Sequence, residues 1–253
     1  MSASPAAVPM TAVAHGSRDP RAAATVAELL GAVRDRRPDV PVHASFLDHA
    51  PPAPDRVLDG LARNGADEAV VLPLLLTAAY HSKTDIPGVL NRVRGRHPRL
   101  RLRTAGTLGP HPLLLDALER RLSDAGVEPG DPDNAVVLVS AGSSDPSANA
   151  TIARLAREWR PRGWRDVVPA YASATGPKPA EAVAALLDAG APRVAVACYF
   201  LAPGYFADKV RKESLAAGAS VVSPVLGAAP EIAELVLLRY EEALETTRAA
   251  TAV

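Results

Sequence analysis

Val13-Ala14-His15-Gly16-Ser17-Arg18-Asp19-Pro20 returns as Val139-Ser140-Ala141-Gly142-Ser143-Ser144-Asp145-Pro146, at an offset of 126 counted from residue 15 to residue 141. Gly, Ser, Asp and Pro stand in both copies, and the histidine stands only in the first. The match runs on. Thr25-Val26 answers to Thr151-Ile152, and Gly65-Ala66 to Gly190-Ala191. The run Ala69 to Leu76 followed by Tyr80-His81 answers to Val194 to Leu201 followed by Tyr205-Phe206, and Leu108-Gly109-Pro110-His111-Pro112 to Leu226-Gly227-Ala228-Ala229-Pro230. A repeat of this length is one supersecondary unit used twice. Positions kept in both copies are read as fold, and the histidines lost from the second copy as chemistry.

Short Val- and Leu-rich runs alternate with Ala- and Leu-rich segments at helical spacing, which is the pattern of a parallel sheet covered by helices. The first copy places strands at 8–14, 40–47, 69–76 and 100–107 and helices at 20–36, 54–64, 84–94 and 112–125. The second places strands at 135–140, 166–172, 193–201 and 220–226 and helices at 146–159, 177–189, 205–217 and 230–246. The stretch Gly126-Val127-Glu128-Pro129-Gly130-Asp131-Pro132-Asp133-Asn134 neither continues a helix nor starts a strand, so it marks the boundary between lobes at 1–126 and 127–253. The fold class is therefore α/β, with two tandem flavodoxin-like lobes. Each is a four-stranded parallel sheet in the order 2-1-3-4 with helices on both faces.

A chain of 253 residues with 48% hydrophobic content can bury two cores. Zero formal net charge gives no pull toward nucleic acid or an anionic membrane, and no apolar stretch reaches the ~20 residues that span a bilayer. The first residues have no signal-peptide pattern, so the chain reads as a soluble cytoplasmic protein. One cysteine, Cys198, excludes a disulfide framework and a thiolate metal site and reads as a packing residue. No phosphate-binding loop or dinucleotide fingerprint occurs, so ATP and organic cofactors are not expected.

In the order 2-1-3-4 the connections from strands 1 and 3 leave in opposite directions and open a crevice above the strand ends. His15 follows strand 1 and His81 follows strand 3. Adjacent strands lie about 4.8 Å apart, so the two imidazoles can converge on one ion. Asp19-Pro20 and Asp145-Pro146 read as helix N-caps followed by proline at the first helical position. Ser82-Lys83-Thr84-Asp85 has capping-box spacing, and Gly16 allows a tight turn beneath a ligand. Asp48 and His49, just past strand 2, can line the same crevice. His111 opens the last helix of its lobe, whereas His43 in strand 2 and His97 in a loop read as packing or solvent-facing residues. A serine triad built on Ser17 and His15 is disfavoured, because neighbours two apart at a turn do not present that geometry.

At His15-Gly16-Ser17-Arg18-Asp19-Pro20, Tyr80-His81-Ser82-Lys83-Thr84-Asp85-Ile86-Pro87 and Leu108-Gly109-Pro110-His111-Pro112 the chain resembles the sirohydrochlorin chelatase family, whose long members carry two chelatase-like lobes. The resemblance implies insertion of a divalent metal, Co²⁺ or Fe²⁺ with Ni²⁺ not excluded, into sirohydrochlorin on the way to cobalamin or sirohaem. It implies metal handling and catalysis by His15 and His81, and a degenerate second lobe. The metal is a substrate, and neutral imidazole suits both its loose ligation and the uptake of a proton. Substrate contacts are expected from Ser17, Arg18, Asp48, Tyr80, Lys83 and His111. The basic stretch Arg92–Arg103 is a further partner for the acid side chains, and Leu75 and Leu76 a packing surface for the ring. A two-lobed chain can enclose a flat ligand alone, which favours a monomer. The alternative on the same fold is a non-catalytic metal carrier or tetrapyrrole-binding protein.

Overall fold

The computed structural model describes residues 7–77 and 84–251, with side chains through Thr246. The first repeat folds as β1 (Met10–Ala14), α1 (Pro20–Arg36), β2 (Val42–Phe46), α2 (Pro54–Arg63), β3 (Glu68–Pro73), α3 (Ile86–Arg96), β4 (Arg101–Thr104) and α4 (Pro112–Ser123). The second folds as β5 (Asn134–Ser140), α5 (Pro146–Trp159), β6 (Asp166–Tyr171), α6 (Pro179–Asp188), β7 (Arg193–Cys198), α7 (Tyr205–Ala216), β8 (Val221–Val222) and α8 (Pro230–Thr251). All pairings are parallel, in the orders β2-β1-β3-β4 and β6-β5-β7-β8, so both sheets have the expected topology.

Proline punctuates this fold. Pro20, Pro54, Pro112, Pro146 and Pro179 each open a helix, where the missing N–H would be orphaned anyway and the ring presets φ. Asp19 and Asp145 cap α1 and α5, their carboxylates accepting from Arg21 N and Ser147 N at 2.9 Å. The same chemistry truncates two strands. β3 stops at Pro73 rather than running to residue 76. β8 is only two residues long, because Pro224 follows and the Ser223 hydroxyl accepts from the Cys198 amide at 3.0 Å.

The chain also groups into two compact units that do not coincide with the two repeats. One unit runs to Gly109 and resumes at Ile232; the other is Pro110–Glu231. Each repeat's last helix is therefore assigned to the unit that holds the other repeat's sheet. Within the first unit, the Tyr240 hydroxyl on α8 donates to Val8 O at 2.7 Å, and the Arg239 guanidinium donates to Thr107 O and Leu108 O at 2.8 and 3.2 Å. Glu241 pairs with Arg37. Within the second unit, the fully buried Trp159 donates its indole N–H to Glu119 on α4 at 2.8 Å, and Arg162 pairs with Asp116 and Glu119. A sequence repeat fixes where a unit was copied, whereas long-range side-chain pairing decides which sheet a helix covers.

Each sheet carries its own core. In the first unit Val13, Ala69 and Val71 pack with Leu58 of α2 and Ile86, Leu90 and Val93 of α3. In the second Val137, Val139, Val194 and Val196 pack with Val183 and Leu186 of α6 and Val210 of α7. Cys198 lies in this second core. Burial pushes its thiol up to about 12, so it is a packing residue. No helix among the described residues is long and apolar enough to cross a membrane.

Candidate functional site

β1 is the central strand of the first sheet, pairing with β2 on one side and β3 on the other, so the loops after β1 and β3 diverge above it. A cleft of about 380 Å³ opens there, lined by His15, Leu47, Asp48, Thr84, Asp85, Gly88, Val89 and Arg92. Its walls are the β1 and β2 loops on one side and one face of α3 on the other.

His15 is exposed, and its Nδ1 lies 3.0 Å from Gly16 O. A carbonyl only accepts, so Nδ1 is the donor in this contact; in the neutral ring that arrangement puts the lone pair on Nε2, the tautomer in which imidazole ligates a metal or accepts a proton. Gly16 has φ +91, and a Cβ built on it would lie 1.8 Å from Asp48 O. Asp48 N in turn donates to His15 O at 3.0 Å. The β1 loop is thus tied to the β2 loop through its backbone, which fixes the base of His15. The glycine makes the tight turn expected of it, packed against the Asp48 carbonyl.

Asp48 is exposed in the cleft, with Oδ2 3.3 Å from His49 Nε2. His49 has φ +63, and its counterpart Ala174 has φ +58. The left-handed turn is a property of both repeats and therefore of the fold, while the Asp48-His49 pair belongs to the first copy alone.

Of the α3 wall, the sequence points to Arg92 within the basic stretch, but not to Thr84, Asp85, Gly88 and Val89 as cleft lining. Thr84, Gly88 and Arg92 lie four residues apart, and Asp85 and Val89 repeat the spacing, so they share one helix face. That i, i+4, i+8 pattern beside the Tyr80-His81 motif was the available signal. Ile86, Leu90 and Val93 on the opposite face enter the core and anchor the helix. The expected capping box at residues 82–85 has its first member outside the described residues; Thr84 and Asp85 form a wider π-type turn, and the α-helix starts at Ile86.

The remaining candidates are distributed as follows. Tyr80, His81, Ser82 and Lys83 lie outside the described residues. The Ser17 hydroxyl accepts from Asp19 N at 3.0 Å, and Ser143 repeats this bond to Asp145 N at the same distance, so Ser17 has a turn-forming job shared by both copies. Arg18 is exposed and outside the cleft lining. His111 belongs to the other unit and caps α4, its Nδ1 accepting from Leu113 N at 3.3 Å. Leu75 packs against the first core.

His43 is half-buried in β2, and burial followed by the charge of Arg34 holds its pKa below the ordinary histidine value. His97 is not a plain loop residue: its Nε2 lies 2.9 Å from Asp59 Oδ1, beside Arg96, which donates to the same carboxylate at 3.0 Å. Burial works to raise the Asp59 carboxyl, but its hydrogen bonds to Arg96 and His97 hold it below the usual range. The basic stretch is mostly structural as well. Arg94 donates to Leu102 O at 3.3 Å, Arg101 pairs with Glu68 at 3.7 Å, and Arg103 pairs with Glu68 while donating to Leu244 O at 2.8 Å. Arg92 alone of these arginines lines the cleft.

Among the described residues no group of three or more His, Cys, Asp or Glu side chains is placed to hold a metal ion. A resident metal centre of the closed, three- or four-ligand kind is thus not built from them. What they offer is one imidazole lone pair, carboxylates and a cation around an open cleft.

These features define a doubly wound α/β protein with an imidazole-bearing cleft at the topological switch point of its first sheet. The CbiX family model matches the chain twice, over residues 9–125 and 135–243, and the chain belongs to that family of sirohydrochlorin chelatases. It is 30% identical over 196 residues to the sirohydrochlorin cobaltochelatase of Priestia megaterium, covering 76% of this chain and 63% of that protein's length. It is 32% identical over 206 residues to the sirohydrochlorin ferrochelatase of Bacillus subtilis strain 168, covering 79% and 77%. SirB from Bacillus subtilis, solved with Fe³⁺, superposes with a TM-score of 0.83 at 27% identity over 96% of this chain and 98% of that one.

Proposed function

We propose that this chain inserts a divalent metal, Co²⁺ or Fe²⁺, into sirohydrochlorin without ATP or an organic cofactor. The observation that carries the reading is His15 on the wall of the switch-point cleft, on the loop that leaves the central strand of the first sheet. Family membership and the names of the relatives support the substrate.

Metallation exchanges two pyrrole N–H protons for one M²⁺ ion, so the site must hold the ion loosely, receive protons and orient the ring. His15 and His81 are the two metal-handling imidazoles in this reading. Nitrogen ligands suit Fe²⁺, Co²⁺ and Ni²⁺ alike, and affinity rises along that series, so supply and ring geometry select the metal. Two imidazoles without a thiolate release the ion readily to four ring nitrogens. Asp48 offers a carboxylate acceptor on the same wall as His15, and Arg18, Tyr80 and Lys83 are the proposed contacts to the substrate's periphery. The second repeat, with Ala141 in place of His15 and Phe206 in place of His81, serves as scaffold.

The test is an anaerobic absorbance assay of sirohydrochlorin with Co²⁺ or Fe²⁺, with no nucleotide added. The reading predicts metallation well above the spontaneous rate. Tight binding of ring or metal without acceleration would instead identify a carrier.

A further inference from the structure

We infer that Arg92 is the docking residue for a carboxylate arm of the tetrapyrrole, with its guanidinium lying over Gly88, where a longer side chain would compete for the space. This rests on the reading of the cleft as a tetrapyrrole site. Arg92 lies on α3 two turns beyond Thr84, about 12 Å along the helix axis. Helical side chains lean toward the helix N-terminus, so a long side chain at position 92 sweeps over position 88. There it meets a glycine. A Cβ added to Gly88 would lie 3.7 Å from Arg92 Nη1, which locates the guanidinium over the bare backbone and within the cleft lining.

The neighbours of Arg92 sharpen the contrast. Arg94, Arg96, Arg101 and Arg103 are each tied to a carboxylate, an amide or a backbone carbonyl. Among the described residues no carboxylate pairs with Arg92. A planar guanidinium with five N–H donors is matched by a carboxylate, which it binds through two parallel hydrogen bonds. Sirohydrochlorin carries several such groups at its rim.

The decisive comparison is sirohydrochlorin binding, followed by fluorescence without metal, and metallation kinetics for wild type, Arg92→Gln, Arg92→Lys and Gly88→Leu. Arg157→Gln, on the exposed face of α5, controls for net charge. Charge-assisted bonds of this kind correspond to roughly a tenfold to hundredfold change in affinity. Arg92→Gln raises Kd and KM by that factor with kcat changed only a few-fold; Arg92→Lys falls between; Gly88→Leu displaces the guanidinium and weakens binding similarly at unchanged circular dichroism. The methyl ester of sirohydrochlorin binds wild type and Arg92→Gln equally. Unchanged free-acid binding by Arg92→Gln, with wild-type metallation intact, would overturn the docking role alone. Failure of the wild type to bind sirohydrochlorin at all would overturn both this role and the chelatase reading, and Arg92-dependent binding without metallation would keep the docking role and reject the enzyme.

Discussion

A Cβ built on Gly16 would stand 1.8 Å from the carbonyl oxygen of Asp48, and one built on Gly142 would stand 2.3 Å from that of Ser173. Both glycines also have φ in the left-handed region, +91 and +81. The two repeats share this crossing of loops, and only the first mounts an imidazole on it.

Substituting either glycine should therefore be costly for the same reason. Left-handed backbone disfavours alanine by roughly 1–2 kcal/mol, before any clash with the facing carbonyl. We expect Gly16→Ala and Gly142→Ala both to lower the urea midpoint, and Gly16→Ala in addition to displace His15 and depress metallation beyond its effect on stability. Equal activity losses in the two variants, once corrected for the folded fraction, would show that the Gly16 turn does not position the imidazole.

Helix α5 tests the capping argument. Its N-cap Asp145 accepts from Ser147 N at 2.9 Å, and Asp145→Ala should cost about 1 kcal/mol in equilibrium unfolding. Asp145→Asn keeps an acceptor at the same place and should recover most of that loss.

His43 sets a pH dependence of stability. Its folded pKa lies below the ordinary histidine value of about 6.5, through burial first and the charge of Arg34 second. The unfolded chain then binds the proton more readily, so stability rises with pH across the window between the two values. The contribution is complete above about 6.5 and lost as pH falls through the folded value. Comparing urea midpoints at about pH 5 and about pH 8, His43→Gln should show a smaller difference than the wild type. An unchanged difference would assign the dependence to other groups.

Cys198 should resist alkylation in the native state. It is 2% exposed, and with its thiol pushed up to about 12 only a fraction on the order of 10⁻⁴ is thiolate near pH 8. Iodoacetamide labelling should track global unfolding across a urea series; rapid labelling without denaturant would contradict the buried placement.

Much of this fold was legible in the chain. The twofold sequence match marks Asp19 and Asp145 as helix caps of the frame, because the same turn chemistry is written twice; Ser17, expected at the substrate, shares its turn bond with Ser143. Hydrophobic periodicity located the β-strands and α-helices of the described residues, and the doubly wound pattern supplied the strand order. Strand ends were less accurate where Pro73 and Pro224 withdrew donors from the ladder. Three things were hidden. The assignment of α4 and α8 to compact units depends on long-range pairs such as Tyr240 with Val8 and Trp159 with Glu119, which leave no local pattern. The basic stretch reads uniformly as charge, and only packing separates Arg92 from arginines committed to Glu68, Asp59 and Leu244. Thr84, Gly88 and Val89 of the α3 wall carry no charge or imidazole, so only their helical spacing with Arg92 marks them as lining.

The central proposal is that the imidazole of His15, set on the Gly16 turn, handles the metal on its way into the ring. The most direct measurement is the anaerobic rate of Co²⁺ insertion into sirohydrochlorin by His15→Ala beside the wild type, with circular dichroism and metal-free sirohydrochlorin binding measured on the same samples. The account predicts a folded variant that still binds the ring and has lost roughly a hundredfold or more of the rate, the scale of a lost ligand or general base. Wild-type turnover by the folded variant would contradict it.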